Sequence, residues 1–330
     1  MTNAESESII GSSLKNRRLR KQPNERKNKM KKIISLLLAA VLCIGCVCAL
    51  ASCTPPAEDK DVVKVIDYAL TVEEYAFAVA KGNTELLNAA NELMAEIQAN
   101  GKFEEIVNKY FGDGTPTEVV SAAEMKTDGS QLIVATNAAF APFEYKEGNK
   151  YYGLDLEIMA LLADKLDKEL YIYNMEFDAV CLAVSETGGD YEDENGKIES
   201  GVADIAAAGL TVNDTRKQIL DFTTSYYNAS QMLICAADDT TFDECKSAAD
   251  VEAILATFGK DIVVGVQRGT TGQFYCEGDE GWGFDGFDFT TKANSSGALA
   301  VQDILNGNAK YVIIDEGPAK AIVKNVNEAN

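Results

Sequence analysis

Gln131-Leu-Ile-Val-Ala-Thr-Asn-Ala-Ala-Phe-Ala-Pro-Phe143 opens with an apolar run of strand length and breaks into a loop that carries an asparagine, a proline and two phenylalanines. A strand over Leu132–Thr136 leads through this loop to a helix from about Asp155 to Leu170, and then to a strand over Leu170–Tyr173. The alternation continues. A helix near Phe177–Ser185, an acidic, Gly-rich insert (185–200), a strand over Ala203–Ala208, a short helix from Asn213 and a strand over Gln231–Ala236 complete one set. A second set follows, with a helix over 247–257, a strand over Ile262–Val266, helices over 271–276 and 297–306, a strand over Tyr311–Ile314 and a helix over Pro318–Val326. Strands that alternate with helices in this way predict α/β architecture with largely parallel sheets, and two such sets predict two lobes.

Upstream, residues 54–61 form a polar tether with two prolines. A β-like stretch from Val62 to Leu70 and another over Glu74–Val79 precede two helices. In the first, Leu86, Leu87, Ala90, Leu93, Met94 and Ile97 share a face, with Asn83 or Thr84 as the cap and Asn100-Gly101 as the stop. The second runs from Lys102 to Phe111, and residues 112–130 read as a linker.

The first 52 residues are of another kind. They hold ten of the 30 Lys and Arg residues and three of the 52 Asp and Glu residues. A basic, aperiodic prefix ends at Met30, where Lys31-Lys32 precede a nearly unbroken apolar run from Ile33 to Ala51. A positive region ahead of such a run reads as a secretory signal. Its end, Leu50-Ala51-Ser52-Cys53 followed by Thr54-Pro55-Pro56, resembles the lipobox of bacterial lipoproteins, which implies lipidation of Cys53; Cys46 is the weaker alternative. The prefix before Met30 is either a misassigned start or a long n-region. Cys181, Cys235, Cys245 and Cys276 match no metal-binding spacing, and although export permits disulfides, free or structural thiols are expected there.

Composition excludes several functions. With no histidine, the chain has no His-based triad and no imidazole metal site or acid–base group. A net charge of −22 argues against a nucleic-acid surface. No catalytic residue, metal or cofactor is predicted.

In open sheets, ligands bind beyond the carboxyl ends of the strands. Asn137, Phe140, Pro142 and Phe143 follow the first strand; Gly209, Thr211 and Arg216 follow Ala203–Ala208; Gln267 through Thr271 follow Ile262–Val266; Asp315 follows Tyr311–Ile314. Arg216 suits a bidentate grip on a carboxylate and Asp315 suits an ammonium. Thr211, Thr270 and Thr271 could add hydroxyls, and Phe140 and Phe177 could sandwich a side chain. Each has a plainer reading: Arg216 as a surface residue, Phe140 and Phe143 as core, Asp315 as a helix cap. Gathered at strand ends, they point to a cleft for a zwitterion.

These residues also resemble a known family. Ala135-Thr-Asn-Ala-Ala-Phe-Ala-Pro-Phe-Glu-Tyr145 with Gly153-Leu-Asp-Leu-Glu157, Asp204-Ile-Ala-Ala-Ala-Gly-Leu-Thr211 with Thr215-Arg216, Gly265-Val-Gln-Arg-Gly-Thr-Thr-Gly272 and Ile314-Asp315 are similar to motifs of the polar amino-acid-binding proteins of ABC importers, solute-binding protein family 3. The resemblance implies a two-lobed periplasmic-binding-protein fold of type II, each lobe a mostly parallel sheet flanked by helices, with a two-strand hinge. It implies a receptor, not an enzyme, that closes on a polar L-amino acid and serves an ABC permease as a monomer outside the cytoplasm, held to the membrane by lipid at Cys53. By position, Arg216 would take the α-carboxylate and Asp315 the α-amino group. Gly209, Thr211 and Thr271 would add contacts, and Phe140 and Phe177 would wall the side chain. Asn137 stands where many members have Asp, and Arg268 would tilt slightly towards an acidic ligand. A dehydratase on the same scaffold, with Glu144 or Glu176 as acid or base, and a sensory lipoprotein are the alternatives.

The order of the motifs departs from the family. Residues 62–112, including Glu74-Tyr-Ala-Phe-Ala-Val-Ala-Lys-Gly82, resemble its carboxyl-terminal end, yet they precede the amino-terminal motif. A circular permutation is expected; a truncated module fused to the tail of a lost copy is the rival. On the permuted reading 1–52 are extension and signal, 72–236 form lobe one, and 54–71 with 237–330 form lobe two. The hinge crossings fall near Thr71–Tyr75 and Cys235–Asp238.

Overall fold

The computed structural model describes residues 61–186 and 201–330, and the backbone of two short strands between them. The signal, Cys53 and most of the acidic insert lie outside the described residues. Among the described residues no helix is long and apolar enough to cross a membrane.

In chain order, β1 (Val63–Ile66), β2 (Glu73–Tyr75) and β3 (Ala78–Ala80) lead to α1 (Thr84–Ala99) and α2 (Lys102–Phe111). Helix α1 buries Ala90, Leu93, Met94 and Ile97 on one stripe. Asn83 caps it by accepting from the Leu86 amide at 3.2 Å. Gly101, at φ +80°, turns the chain into α2. Then come β4 (Gln131–Thr136), a small meander of β5 (Ala139–Phe140), β6 (Glu144–Glu147) and β7 (Lys150–Tyr152), α3 (Leu154–Lys165), β8 (Glu169–Asn174) and α4 (Phe177–Val184). Strands β9 (Tyr191–Asp193) and β10 (Gly196–Ile198) form a hairpin; β11 (Ile205–Ala206), a 3₁₀ turn over Arg216–Gln218 and β12 (Leu220–Phe222) follow. Strands β13 (Tyr227–Ala229) and β14 (Gln231–Ala236) lead to α5 (Ala248–Leu255), β15 (Val263–Gln267), α6 (Thr271–Glu277), β16 (Thr290–Asn294), α7 (Gly297–Leu305), β17 (Tyr311–Asp315) and α8 (Glu316–Ala329).

The strands assemble into two five-stranded sheets, β12-β3-β11-β4-β8 in lobe one and β1-β14-β17-β15-β16 in lobe two. All six residues of β4 and all five of β17 are buried, as strands covered on both faces should be. Neither sheet is mostly parallel. Each has two parallel and two antiparallel pairings, and the antiparallel ones are made by strands next to the crossings between lobes. A chain returning from the other lobe lays its strand, β3 or β14, one place in from the sheet edge and in the opposite sense, which alternation along the sequence does not reveal.

The lobes are joined by β2 and β13, paired to each other with Tyr75 opposite Tyr227. The first crossing falls at Thr71–Tyr75. The second is earlier than Cys235–Asp238, because β14 already lies within lobe two: Cys235 pairs with Tyr311 on one side and Lys64 on the other. The boundary drawn at residue 236 therefore moves to about residue 230, and 231–236 belong to lobe two. Cys181, Cys235, Cys245 and Cys276 are all thiols.

Candidate functional site

The carboxyl ends of β4, β11, β15 and β17 converge on the face where the lobes meet, and the loops leaving them carry the polar groups. Arg216, buried at the start of the 3₁₀ turn, donates from Nη1 to the Thr211 carbonyl at 2.8 Å and from Nη2 across the cleft to the Gly269 carbonyl at 3.3 Å. Its guanidinium lies 5.6 Å from the Phe177 ring centroid and 5.0 Å from that of Trp282, the chain's single tryptophan. Aromatic faces at these distances steer a planar cation without consuming its in-plane donors.

Thr211 Oγ1 donates to Glu73 Oε2 at 2.7 Å and receives Thr271 Oγ1 from the other lobe at 3.2 Å. Asp315, at the end of β17, accepts from the Tyr75 hydroxyl of the hinge. Burial, and then the charge of Glu73, push its carboxyl up to about 7 from 3.8. Asn137 is occupied on both ends: Nδ2 donates to the Met175 carbonyl at 2.6 Å and Oδ1 accepts from Gln267 Nε2 of lobe two at 3.0 Å.

Gly209 has φ +53°, and a Cβ there would come within 2.8 Å of Phe140 Cε1, so this position is confined to glycine by conformation and by space. Its amide donates to Asp155 Oδ2 at 3.0 Å, while the Tyr226 hydroxyl donates to the same carboxylate at 2.7 Å. Thus Asp155 of α3 holds the loop that leads to Thr211.

The structure accordingly brings Asn137, Phe140, Phe177, Gly209, Thr211, Arg216, Thr271 and Asp315 to one region spanning both lobes. Two other expectations change. Arg268 is half exposed and faces Asp178 at 3.9 Å, so its charge is met by the protein and lends no support to an acidic ligand. Glu144, a candidate acid or base in the dehydratase alternative, is completely buried, both its oxygens lack a hydrogen-bond partner, and burial with the nearby Asp155 and Asp315 holds its carboxyl far above the usual carboxylate range.

Sequence reading missed Glu73, Tyr75, Gln231 and Trp282. The first three sit on strands at the hinge, and their relevance depends on where the chain crosses between lobes. Trp282 lies in the Gly278–Gly286 loop, and a lone tryptophan among glycines and acids was a usable signal.

A family model described as bacterial extracellular solute-binding proteins, family 3, matches residues 2–113 and 132–310. The chain belongs to that family. This family 3 binding protein is 28% identical over 159 residues to the arginine-binding extracellular protein ArtP of Bacillus subtilis (strain 168), a match covering 47% of this chain and 52% of that one. It is 26% identical over 207 residues to a probable histidine-binding protein of Neisseria gonorrhoeae, covering 62% of this chain and 66% of the relative. It spans about half the length of the first two curated relatives it matches. Among solved structures, an ancestral arginine-binding protein bound to arginine is 26% identical, with a TM-score of 0.47 over 59% of this chain and 74% of that one.

Proposed function

We propose that this family 3 binding protein is a lipid-anchored receptor outside the cytoplasm, which closes on a polar L-amino acid and hands it to an ABC permease. The observation that carries the reading is the placement of one buried guanidinium, Arg216, on lobe one and one buried carboxylate, Asp315, on lobe two, facing a common cleft. An α-amino acid presents the complementary pair. Its carboxylate would replace the carbonyl partners of Arg216, its ammonium would meet Asp315, and the Thr271 hydroxyl would turn from Thr211 to donate from lobe two. Phe140 and Phe177 would bound the side chain. Each charge-assisted bond contributes about 1.5–3 kcal/mol, so a handful is compatible with micromolar affinity after ordering costs. Ligand contacts made with both lobes favour the closed arrangement over an open one, which gives a permease a shape to recognise. The relatives named for arginine and histidine binding support an amino-acid ligand. Anchoring at Cys53 rests on the lipobox-like Leu50-Ala51-Ser52-Cys53.

The chain order reads as a circular permutation cut open in lobe two. Two observations support it. The family match falls into two pieces parted at 114–131, the segment that joins α2 to β4. In α8, Asn327 Oδ1 accepts from the Val62 and Val63 amides at 3.0 and 3.1 Å, and Nδ2 donates to the Val63 carbonyl at 3.0 Å, so α8 ends against the start of β1. The functional reading is tested by calorimetric titration of the full chain, solubilised in detergent, with the L-amino acids. Tight binding of one or a few is expected; a folded chain that binds none would contradict it.

A further inference from the structure

We propose that Glu73 selects the ligand's side chain, and that the cleft takes an L-amino acid whose side chain is a cation. The inference rests on the assignment of Arg216 and Asp315 to the α-carboxylate and α-ammonium. Those two charges account for the backbone end of any amino acid. Glu73 is left over.

Its carboxylate is buried on hinge strand β2, beside Thr211 and within electrostatic reach of Asp315. The groups that donate to it are all neutral: the Thr71 hydroxyl at 2.6 Å, the Thr211 hydroxyl at 2.7 Å and the Gln231 amide at 2.9 Å. No lysine or arginine among the described residues pairs with it. A buried carboxylate kept without a counter-ion is costly, even when its lone pairs are filled. The surrounding acceptors point the same way. Gln231 Oε1, on the residue that donates to Glu73, and Gln267 Oε1 are both buried with no donor.

A guanidinium or ammonium group supplies both missing quantities, a positive charge for Glu73 and N–H groups for the orphaned carbonyls. The charges then match one for one: Arg216 with a carboxylate, Asp315 and Glu73 with two cations. A neutral polar side chain would satisfy the carbonyls but leave Glu73 uncompensated. An acidic one would meet two carboxylates, and Arg268, the cation that would favour it, already faces Asp178. Glu73 also ties Thr71 and Gln231 to Thr211, and a purely structural latch of that kind would act on every ligand alike.

The test separates these roles. The full chain in detergent is titrated with L-arginine, L-lysine and L-citrulline, the last keeping arginine's skeleton without its charge. At least one cationic amino acid should bind about tenfold or more tighter than L-citrulline. Glu73→Gln should bring that preference within about threefold by weakening the cationic ligand alone, and Glu73→Asp should retain part of it. Citrulline binding as tightly as either cation, or a neutral or acidic amino acid binding tightest, would overturn the proposal while leaving the amino-acid receptor intact. An equal loss for every ligand in Glu73→Gln would also overturn it, in favour of a latch or a second ammonium holder. If that variant does not fold, the comparison on the unaltered chain still decides. Binding of no amino acid would remove both this proposal and the reading beneath it.

Discussion

Asp155 and Asp315 are both buried aspartates pushed up to about 7 from 3.8, chiefly by burial, but they sit on opposite sides of the cleft and answer to different groups. Around Asp155, the Gly209 amide and the Tyr226 hydroxyl favour the charged form and oppose burial. Around Asp315, Glu73 adds to the upward shift while Tyr75 and Gln231 resist it. Each carboxyl holds its proton more tightly folded than unfolded. The folded chain therefore binds more protons between the two values, and stability should fall as pH rises from about 4 to about 7, with Glu144, held still higher by burial, carrying the fall further. Affinity for an ammonium ligand should run the other way, because Asp315 must give up its proton to bind it. Below pH 7 the affinity should weaken by up to about tenfold per pH unit, with proton release visible as a buffer-dependent heat. Urea unfolding of the free protein and calorimetry at pH 5, 6, 7 and 8 check both slopes, and Asp315→Asn should abolish the second.

At the scale of elements, the contact between α8 and β1 concentrates the account of chain order. Asn327 satisfies two amides and one carbonyl at the start of β1, next to the fully buried Val63. Without it these backbone groups need other partners, so Asn327→Ala should cost about 1–3 kcal/mol in urea unfolding. Ligand affinity should be unchanged, since α8 presents Asn327 to β1 rather than to the cleft. A loss of affinity at constant stability would mean that this helix end does something other than close the lobe. The linker between α2 and β4 is also built in rather than idle: Val119 bridges to Tyr151, the Ala122 amide donates to the Leu170 carbonyl at 2.8 Å, and Ser121 Oγ accepts from the Ile172 amide at 2.9 Å. It runs along β7 and β8 and so spans the distance between its ends while satisfying strand-edge groups.

Across the whole molecule, both sheets depend on the segment before residue 113. Strand β1 pairs with β14 in lobe two, and β3 lies between β12 and β11 in lobe one. If the order is a permutation, a chain that starts at Asp113, runs to Asn330, continues through a short linker into Asp61 and ends at Gly112 should fold. It should bind the same ligand within about threefold. Failure of that chain to fold, with a stable, ligand-binding chain left after removal of residues 61–112, would favour the fused-tail reading. Much of this organisation was legible in the sequence. The helices were marked by their stripes and caps, as at Asn83 and Gly101, and the site by the residue types that follow each strand. Less legible was anything set by how distant strands pair. The antiparallel half of each sheet, the early crossing at Tyr227–Ala229 and the approach of Glu73 to Asp315 all depend on contacts between residues far apart in the chain. A local pattern carries no record of its partner, so nothing around Glu144 announced that this first residue of β6 is completely buried.

The central claim, that Arg216 and Asp315 clamp an amino acid between the lobes, is tested most directly by one calorimetric comparison. The amino acid that binds tightest to the full chain is titrated into the Arg216→Ala variant, with its fold checked by urea unfolding. Two charge-assisted bonds to the carboxylate are lost, so affinity should drop about 100-fold or more. A folded variant that binds that ligand as tightly as the parent would contradict the account.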